Sequence, residues 1–288
     1  MMDITNEQRA RILVEALPYI QSYDRKIVVI KYGGSAMQSE ELKNAVMRDI
    51  VLLSLIGVRV VLIHGGGPEI NEMLKLAGKK SEFINGLRVT DRETAELVEM
   101  VLSGKISKGL VNHLERIGGK AMSLSGADGK LIEARVLDEK LGYVGEITSI
   151  NIEPILDLLE KGYIPVISTV ARDSEGNIYN INADTAAARI AGALSAESLI
   201  LMTDTAGILR DKNDESTIIP EICTDELPGL LADGTVSGGM IPKSECCVGA
   251  IADGVKKVII IDGRIPHSIL VEMLTDSGIG TMFRGTKK

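Results

Sequence analysis

Five short runs of β-branched and aliphatic residues recur along the chain. They cover residues 26–31, 59–64, 163–168, 198–203 and 256–261. The interior of each run is a nearly unbroken apolar stretch with polar residues at the ends, which is typical of strands that are covered on both faces. Between them, apolar residues recur at helical spacing in residues 41–56, 68–77, 92–102, 152–161, 185–194 and 243–253. This alternation predicts an α/β fold, with an open and mainly parallel sheet between two layers of helices.

The segment 121–147 has a different pattern, because paired apolar runs flank an Asp128-Gly129 turn. That arrangement predicts an antiparallel ribbon. The small residues of 192–197 predict a boundary between an N-terminal lobe, residues 25–194, and a C-terminal lobe, residues 195–288.

The segment that precedes the first strand, residues 1–24, contains an amphipathic pattern over residues 7–23. Its apolar side chains fall on one face of a helix, and they are Ile12, Leu13, Ala16, Leu17 and Ile20. Pro18 lacks an N–H and clashes with the preceding turn, so it predicts a kink. The helix could pack on the core of its own subunit, or it could join subunits.

Composition narrows the functional class. The chain has 288 residues, of which 45% are hydrophobic, and a formal net charge of −8. This charge gives no general attraction for nucleic acid or for an anionic membrane. The first residues are polar, no apolar run reaches the ~18 residues that span a bilayer, and the three cysteines (Cys223, Cys246 and Cys247) lack metal-site spacing. We therefore expect a cytoplasmic protein with reduced thiols.

Two of the predicted strands end in glycines, at Gly33-Gly34 and at Gly65-Gly66-Gly67. Backbone amides that follow a strand and open a helix can bind an anion, so we expect a phosphorylated or anionic small molecule. The sequence contains no GxxxxGK[ST] loop and no GxGxxG after either strand. The HRD and DFG motifs of protein kinases are also absent.

A set of further motifs follows these glycines in a distinctive order: Lys31 with its glycine pair, NGLRVT at 85–90, NINADTAA at 180–187, TDTAGIL at 203–209 and GGMIPK at 238–243. Together they closely resemble the acetylglutamate kinases, within the amino acid kinase family, from residue 27 to the C terminus. The resemblance implies ATP-dependent phosphorylation of the side-chain carboxylate of N-acetyl-L-glutamate, in arginine biosynthesis.

The same resemblance assigns the reacting groups. Lys31 and Lys243 would stabilise the transferring phosphoryl group, and Asp184 would bridge and orient the two lysines. Asp184 could instead be only the N-cap of the helix that follows it. The acceptor would be bound by Gly66, Gly67, Arg88 and Asn180, with the 121–147 ribbon as a lid. Of the histidines, His113 and His267 are interpreted as structural or peripheral, and His64 could hold the glycine loop.

The nucleotide should lie in the C-terminal half, and the resemblance names six residues for it: Gly34, Thr203, Asp204, Gly207, Gly238 and Gly239. The loop 211–214 would lie on the adenosine side. We expect Mg²⁺ to be held by phosphates and water, with no protein ligand.

The kinked N-terminal helix resembles that of arginine-inhibited members, in which helices of neighbouring dimers interlace into a hexameric ring. Arginine inhibition and a homohexamer, a trimer of dimers, are therefore expected. The candidate effector residues are Tyr19, Lys212, His267, Glu272 and Gly280, and the region 267–283 resembles the family's effector segment.

Two alternatives stay open. The first is a kinase of the same fold for another acid, such as carbamate, glutamate or aspartate. The second is a noncatalytic protein that senses arginine or nucleotide, although such a sensor would not need Lys31, Asp184 and Lys243 together.

Overall fold

A computed structural model describes residues 5–37 and 39–286, so residues 1–4 of the predicted N-terminal segment lie outside the described part. The α-helices are α1 (Asn6–Glu15), α2 (Leu17–Tyr23), α3 (Glu40–Leu55), α4 (Gly67–Leu76), α5 (Arg92–Glu99), α6 (Ser107–Arg116), α7 (Glu153–Glu160), α8 (Ala183–Ala193), α9 (Leu227–Ala232), α10 (Met240–Ala252) and α11 (Ser268–Leu274). A π-helical segment, Met100–Ile106, joins α5 to α6.

The strands are β1 (Ile27–Tyr32), β2 (Arg59–His64), β3 (Phe83–Ile84), β4 (Leu87–Arg88), β5 (Ala121–Ser125), β6 (Ile132–Val136), β7 (Gly145–Ile150), β8 (Ile164–Ser168), β9 (Val170–Arg172), β10 (Ile178–Asn180), β11 (Ser198–Thr203), β12 (Glu221–Cys223), β13 (Lys257–Asp262) and β14 (Thr281–Arg284). The five runs predicted from the sequence correspond to β1, β2, β8, β11 and β13.

The main sheet of the described residues has the strand order β12-β14-β13-β11-β1-β2-β8-β5. Neighbouring strands are parallel except β13 and β14, which are antiparallel. The predicted α/β class with a mainly parallel sheet is therefore confirmed. The proposed boundary at 194/195 falls between α8 and β11, and β11 pairs with β1, so both proposed lobes share one sheet.

Alternate residues of the central strands enter two separate hydrophobic cores, one on each face of the sheet. Val29 and Val61 lie in one core with α8 and α10, while Val28 and Val60 lie in the other with α3. These side chains are almost completely buried. This double coverage explains why the inner positions of the strands are nearly all apolar, as expected for a parallel sheet.

The prediction for the 121–147 segment was wrong in its pairing. β5 belongs to the main sheet, where it runs parallel to β8, and the antiparallel pair is β6 with β7. Asp128-Gly129 lies in a short 3₁₀ turn between β5 and β6. The hairpin connection is therefore the later segment 137–144, which contains a second 3₁₀ turn at Glu139–Leu141. β6 and β7 form a small second sheet with β9 and β10.

The N-terminal helix is interrupted, as the proline predicts. α1 ends at Glu15 and α2 begins at Leu17, with Pro18 in its first turn. No residue of α1 is buried, and Leu13 is 76% exposed. The apolar face of α1 therefore does not pack on the core of its own subunit.

Two further features concern membrane-spanning helices and the cysteines. Among the described residues, none of the helices combines the length and the apolar character needed to cross a bilayer. Cys223, Cys246 and Cys247 are free thiols, as expected from their spacing.

Candidate active site

Three charged side chains from three different elements meet at the carboxyl ends of the central strands. Lys31 is near the end of β1, Asp184 is in the first turn of α8, and Lys243 is in the first turn of α10. The Asp184 carboxylate lies 3.0 Å from Lys31 Nζ through Oδ1 and 2.5 Å from Lys243 Nζ through Oδ2. We call this arrangement the Lys-Asp-Lys cluster.

The electrostatics of the cluster fix the charge of its carboxylate. Burial alone would raise the pKa of Asp184, but the charges of Lys31 and Lys243 outweigh it and lower that pKa to about 2. The side chains of the two lysines are only 13% and 11% exposed. Two ammonium groups against one carboxylate leave one net positive charge in a site partly shielded from water, which suits an anionic ligand.

Asp184 is not the N-cap of α8, so that alternative was wrong. The cap is Asn182, whose Oδ1 accepts hydrogen bonds from the backbone N–H groups of Asp184 and Thr185, at 3.0 and 3.1 Å. Because Asn182 holds the helix N-terminus, the carboxylate of Asp184 is left for the lysines. The prediction missed Asn182, although an asparagine followed by Asp and Thr two and three residues later is a recognisable cap pattern.

A cleft of about 210 Å³ begins at Lys31 and extends along the glycine loop after β2. The predicted acceptor residues Gly66, Gly67, Arg88 and Asn180 all line it. The structure thus brings these four together beside one lysine of the cluster. Their contact with a substrate stays a prediction.

Arg88 is buried in this cleft, with 7% of its surface exposed. Its guanidinium donates to Ser81 Oγ at 2.7 Å and lies over the Phe83 ring, with 4.7 Å between Cζ and the ring centroid. Burial lowers the pKa of Arg88 from its ordinary value, but a guanidinium remains charged. Among the described residues, its contacts are Ser81 Oγ, the Gly67 carbonyl and the Phe83 ring, and none of them is a carboxylate. A buried cation without a counter-ion favours an anionic ligand.

The predicted lid was assigned to the wrong segment. Of residues 121–147, only Val144 lines the described cleft. Its outer wall comes instead from the β3-β4 hairpin, through Phe83, Gly86, Leu87 and Arg88. The hairpin was not predicted because its strands have two residues each, too few to show an alternation.

The predicted nucleotide residues follow β1 and β11 and precede α10. Gly34 and Gly238 have positive φ angles of 62° and 56°, and apart from their immediate neighbours in the chain no atom lies within 4 Å of the position that a Cβ would take. The backbone there is therefore open to a close ligand. Thr203 is the last residue of β11 and Asp204 follows it, with Thr203 Oγ1 3.3 Å from Asp204 Oδ1. Gly239 is the N-cap residue of α10.

Packing explains why position 207 requires a glycine. A Cβ at this position would lie 2.5 Å from Thr281 Oγ1, and the same hydroxyl accepts a hydrogen bond from Ile208 N at 2.8 Å. The glycine is needed whether or not nucleotide binds, so its role in binding stays a prediction.

A second, larger cavity of about 780 Å³ lies between α2, α11 and the β12–β14 edge of the sheet. Three of the predicted effector residues line it: Tyr19, Glu272 and Gly280. The other two, Lys212 and His267, are not among the described residues that line it. His267 precedes α11 and its Nδ1 lies 2.6 Å from Oδ1 of the buried Asp49.

Comparison with known proteins agrees with this geometry. Residues 26–262 match the amino acid kinase family. The chain is 54% identical to the acetylglutamate kinase of Brachyspira hyodysenteriae over 285 residues, which are 98% of this chain and 99% of that protein.

Two solved structures are similar in fold. One is N-acetylglutamate synthase from Neisseria gonorrhoeae, complexed with coenzyme A and N-acetyl-glutamate, with a TM-score of 0.85 and 26% identity. The match covers 97% of this chain but only 64% of the synthase. The other is smu.665 from Streptococcus mutans UA159, with a TM-score of 0.75 and 32% identity, covering 90% of this chain and 99% of that one. Family match, identity and fold agree, and the chain belongs to the amino acid kinase family.

Proposed function

We propose that this protein phosphorylates the side-chain carboxylate of N-acetyl-L-glutamate with ATP, giving an acyl phosphate and ADP, as a cytoplasmic step of arginine biosynthesis. The observation that carries the proposal is the Lys-Asp-Lys cluster at one end of a cleft that also holds the buried Arg88. The near-full-length identity to an acetylglutamate kinase supports the choice of substrate.

The cleft suits an acceptor with two carboxylates and an amide. Arg88 can pair with the α-carboxylate, because a guanidinium forms two parallel hydrogen bonds with a carboxylate. Asn180 can bond the same group or the acetamide. The side-chain carboxylate would then lie beside Gly66, Gly67 and Lys31. Since this carboxylate is already ionised, the reaction needs no general base.

The Lys-Asp-Lys cluster supplies charge stabilisation. Phosphoryl transfer depends mainly on positioning and on neutralising the charge that spreads over the phosphoryl oxygens. Lys31 and Lys243 come from opposite sides of Asp184, so their ammonium groups can contact different oxygens of the migrating group. Asp184 holds them in place and remains ionised, because its pKa is about 2.

ATP is expected beside β1, β11 and α10, with its phosphates near Gly34 and Gly238. Magnesium fits this site as an ion bound to the nucleotide. Both carboxylate oxygens of Asp184 face lysines, so this group is not available as a metal ligand. The ion would neutralise phosphate charge and keep water in its remaining positions.

The experiment is an assay of ADP release by the purified protein with MgATP and each of four acids: N-acetyl-L-glutamate, L-glutamate, L-aspartate and carbamate. We expect release that depends on N-acetyl-L-glutamate and far lower rates with the other three. A higher rate with an unacetylated acid would reverse the substrate assignment. No ADP release with any acid, together with binding of nucleotide or arginine, would favour the noncatalytic sensor.

We also infer arginine inhibition and a hexameric assembly. The exposed apolar face of α1 is suited to contact another subunit, and α2 links it directly to the 780 Å³ cavity. That cavity has acidic groups, among them Glu272 and Asp276, which suit the guanidinium and the amino group of arginine. An effector bound there could therefore act on the position of α1 and α2.

A further inference from the structure

His64 is a fully buried histidine for which the reaction proposed above has no use. It is the last residue of β2 and has no exposed surface. Its Nδ1 lies 2.9 Å from the carbonyl oxygen of Gly65, and its Nε2 lies 2.7 Å from Ser107 Oγ. The imidazole therefore links the glycine loop after β2 to the start of α6.

The two hydrogen bonds fix the tautomer of the ring. A carbonyl oxygen can only accept, so Nδ1 must carry the proton that is donated to Gly65. Burial lowers the pKa of His64 to about 4, so the ring is neutral near pH 7 and its Nε2 has no proton. Nε2 consequently accepts from the hydroxyl of Ser107. Nδ1 is thus a hydrogen-bond donor and Nε2 an acceptor, and rotation of the ring would break both hydrogen bonds.

This arrangement determines the direction of the next backbone N–H. The Gly65–Gly66 peptide is trans, and in a trans peptide the C=O and the following N–H point in opposite directions. Because the Gly65 carbonyl is held against His64, the Gly66 N–H must point away from the imidazole. The N–H of Gly65 is also fixed, by a 3.1 Å hydrogen bond to the carbonyl of Tyr32.

The opposite side of the loop is held by the π-helical segment. A Cβ at Gly66 would lie 2.8 Å from Leu102 Cδ2 and even closer to Ile106 Cδ1, so these side chains pack directly on the glycine. Ser107 follows this segment immediately in the chain. The π-helical turn thus places the packing residues and the hydroxyl partner of His64 together, and such turns recur at functional sites.

We propose that His64 is a positioning residue that aims the Gly66 N–H at a negatively charged oxygen of the reacting groups. The proposal rests on the assignment of this cleft to the acceptor. Gly66 lines the cleft beside Lys31, so a fixed N–H here would stabilise the charge that develops during transfer. His64 acts only through the peptide and does not touch the substrate.

The test compares His64→Asn with His64→Leu. Asparagine keeps a donor at the δ position, so it can hold the Gly65 carbonyl, whereas leucine cannot. We expect His64→Leu to lower kcat about 100-fold, as for the loss of an aligned backbone donor, with KM for N-acetyl-L-glutamate changed less than about threefold. His64→Asn should restore kcat to within about fivefold of the wild type. Thermal unfolding of both variants is measured alongside.

Ser103→Ala is the matched control, because Ser103 Oγ is a partly buried hydroxyl of the π-helical segment that bonds Ser125 and Ser168 and not the loop. It should leave kcat within about twofold of the wild type. If His64→Leu does not fold, Ser107→Ala replaces it, with an expected loss in kcat of about tenfold because the ring loses its second anchor.

Equal kcat values for the asparagine and leucine variants, or an effect confined to KM, would overturn the positioning role. A failure of the proposed function would give a different result from a failure of the positioning role, because the wild-type protein would then release no ADP with N-acetyl-L-glutamate in the same assay.

Discussion

Replacing Asp184 by asparagine removes one charge from the Lys-Asp-Lys cluster while keeping the size of the side chain. In the wild type, the carboxylate lies within 3.0 Å of both ammonium groups. In the variant, two largely buried cations would face a neutral amide that can accept from only one of them. Their mutual repulsion would then be uncompensated, and we expect them to move apart or to lose a proton.

The size of the expected losses in stability and in kcat follows from the burial of the lysines, whose side chains are 13% and 11% exposed. Breaking a buried ion pair from one side costs about 3–5 kcal/mol of unfolding free energy. Displacing the two groups that stabilise the phosphoryl oxygens should lower kcat about 100- to 1,000-fold. KM for N-acetyl-L-glutamate should change little, since Arg88 and Asn180 remain.

The assay measures kcat and KM by ADP release, and stability by urea denaturation. Asp253→Asn is the matched control, because Asp253, at the C-terminal end of α10, forms a half-exposed pair at 3.9 Å with Arg189 in the second half of α8. That exposed pair should contribute at most about 1 kcal/mol and should not affect kcat. A kcat for Asp184→Asn within tenfold of the wild type would refute the role given to the carboxylate.

Three further predictions concern other parts of the molecule. Arg88→Lys should raise KM for N-acetyl-L-glutamate about tenfold with little change in kcat, because a lysine cannot make the two parallel bonds; a tenfold lower kcat at constant KM would contradict this role. Burial raises the pKa of Asp49 to about 6, so the folded state holds a proton there that the unfolded state has lost. His64, whose pKa burial lowers to about 4, acts in the opposite direction over this pH range, and both proteins share its contribution. In urea denaturation, the stability of the wild type minus that of Asp49→Asn should therefore fall by up to about 3 kcal/mol as the pH rises from 4 through 6, whereas a difference that does not change with pH would exclude this role of Asp49. Deletion of residues 1–24 should reduce the particle from hexamer to dimer in sedimentation and weaken arginine inhibition, and an unchanged particle mass would refute the proposed assembly.

The sequence alone predicted the central part of the fold. β1, β2, β8, β11 and β13 were found within about one residue of their ends, because a parallel sheet covered on both faces leaves nearly continuous apolar runs. The same reasoning failed for β5, whose partner β8 lies about forty residues later in the chain. A local turn signal at Asp128-Gly129 does not reveal a parallel partner so far away, and it was interpreted as a hairpin.

The sequence likewise placed individual residues of the site, whereas the contacts between them depend on the fold. Lys31 could be placed at a strand end, and the resemblance supplied Asp184 and Lys243, but only the fold shows that all three side chains touch. The predicted helix 92–102 covers only the first three residues of the π-helical segment, and residues 103–106 were in no predicted element. Leu102 and Ile106 of this segment pack on Gly66, and Ser107, which follows it, bonds His64. These contacts join distant parts of the chain, which periodicity does not report.

The proposed mechanism requires that Lys31 and Lys243 stabilise the migrating phosphoryl group more than they stabilise bound ATP. Calorimetry can test it with ADP, magnesium, N-acetyl-L-glutamate and aluminium fluoride, which together mimic the transferring group, and with a nonhydrolysable ATP analogue for the ground state. We predict that Lys31→Ala and Lys243→Ala each weaken binding of the mimic at least about 100-fold and binding of the ATP analogue less than about tenfold. Equal losses for the two ligands would contradict it.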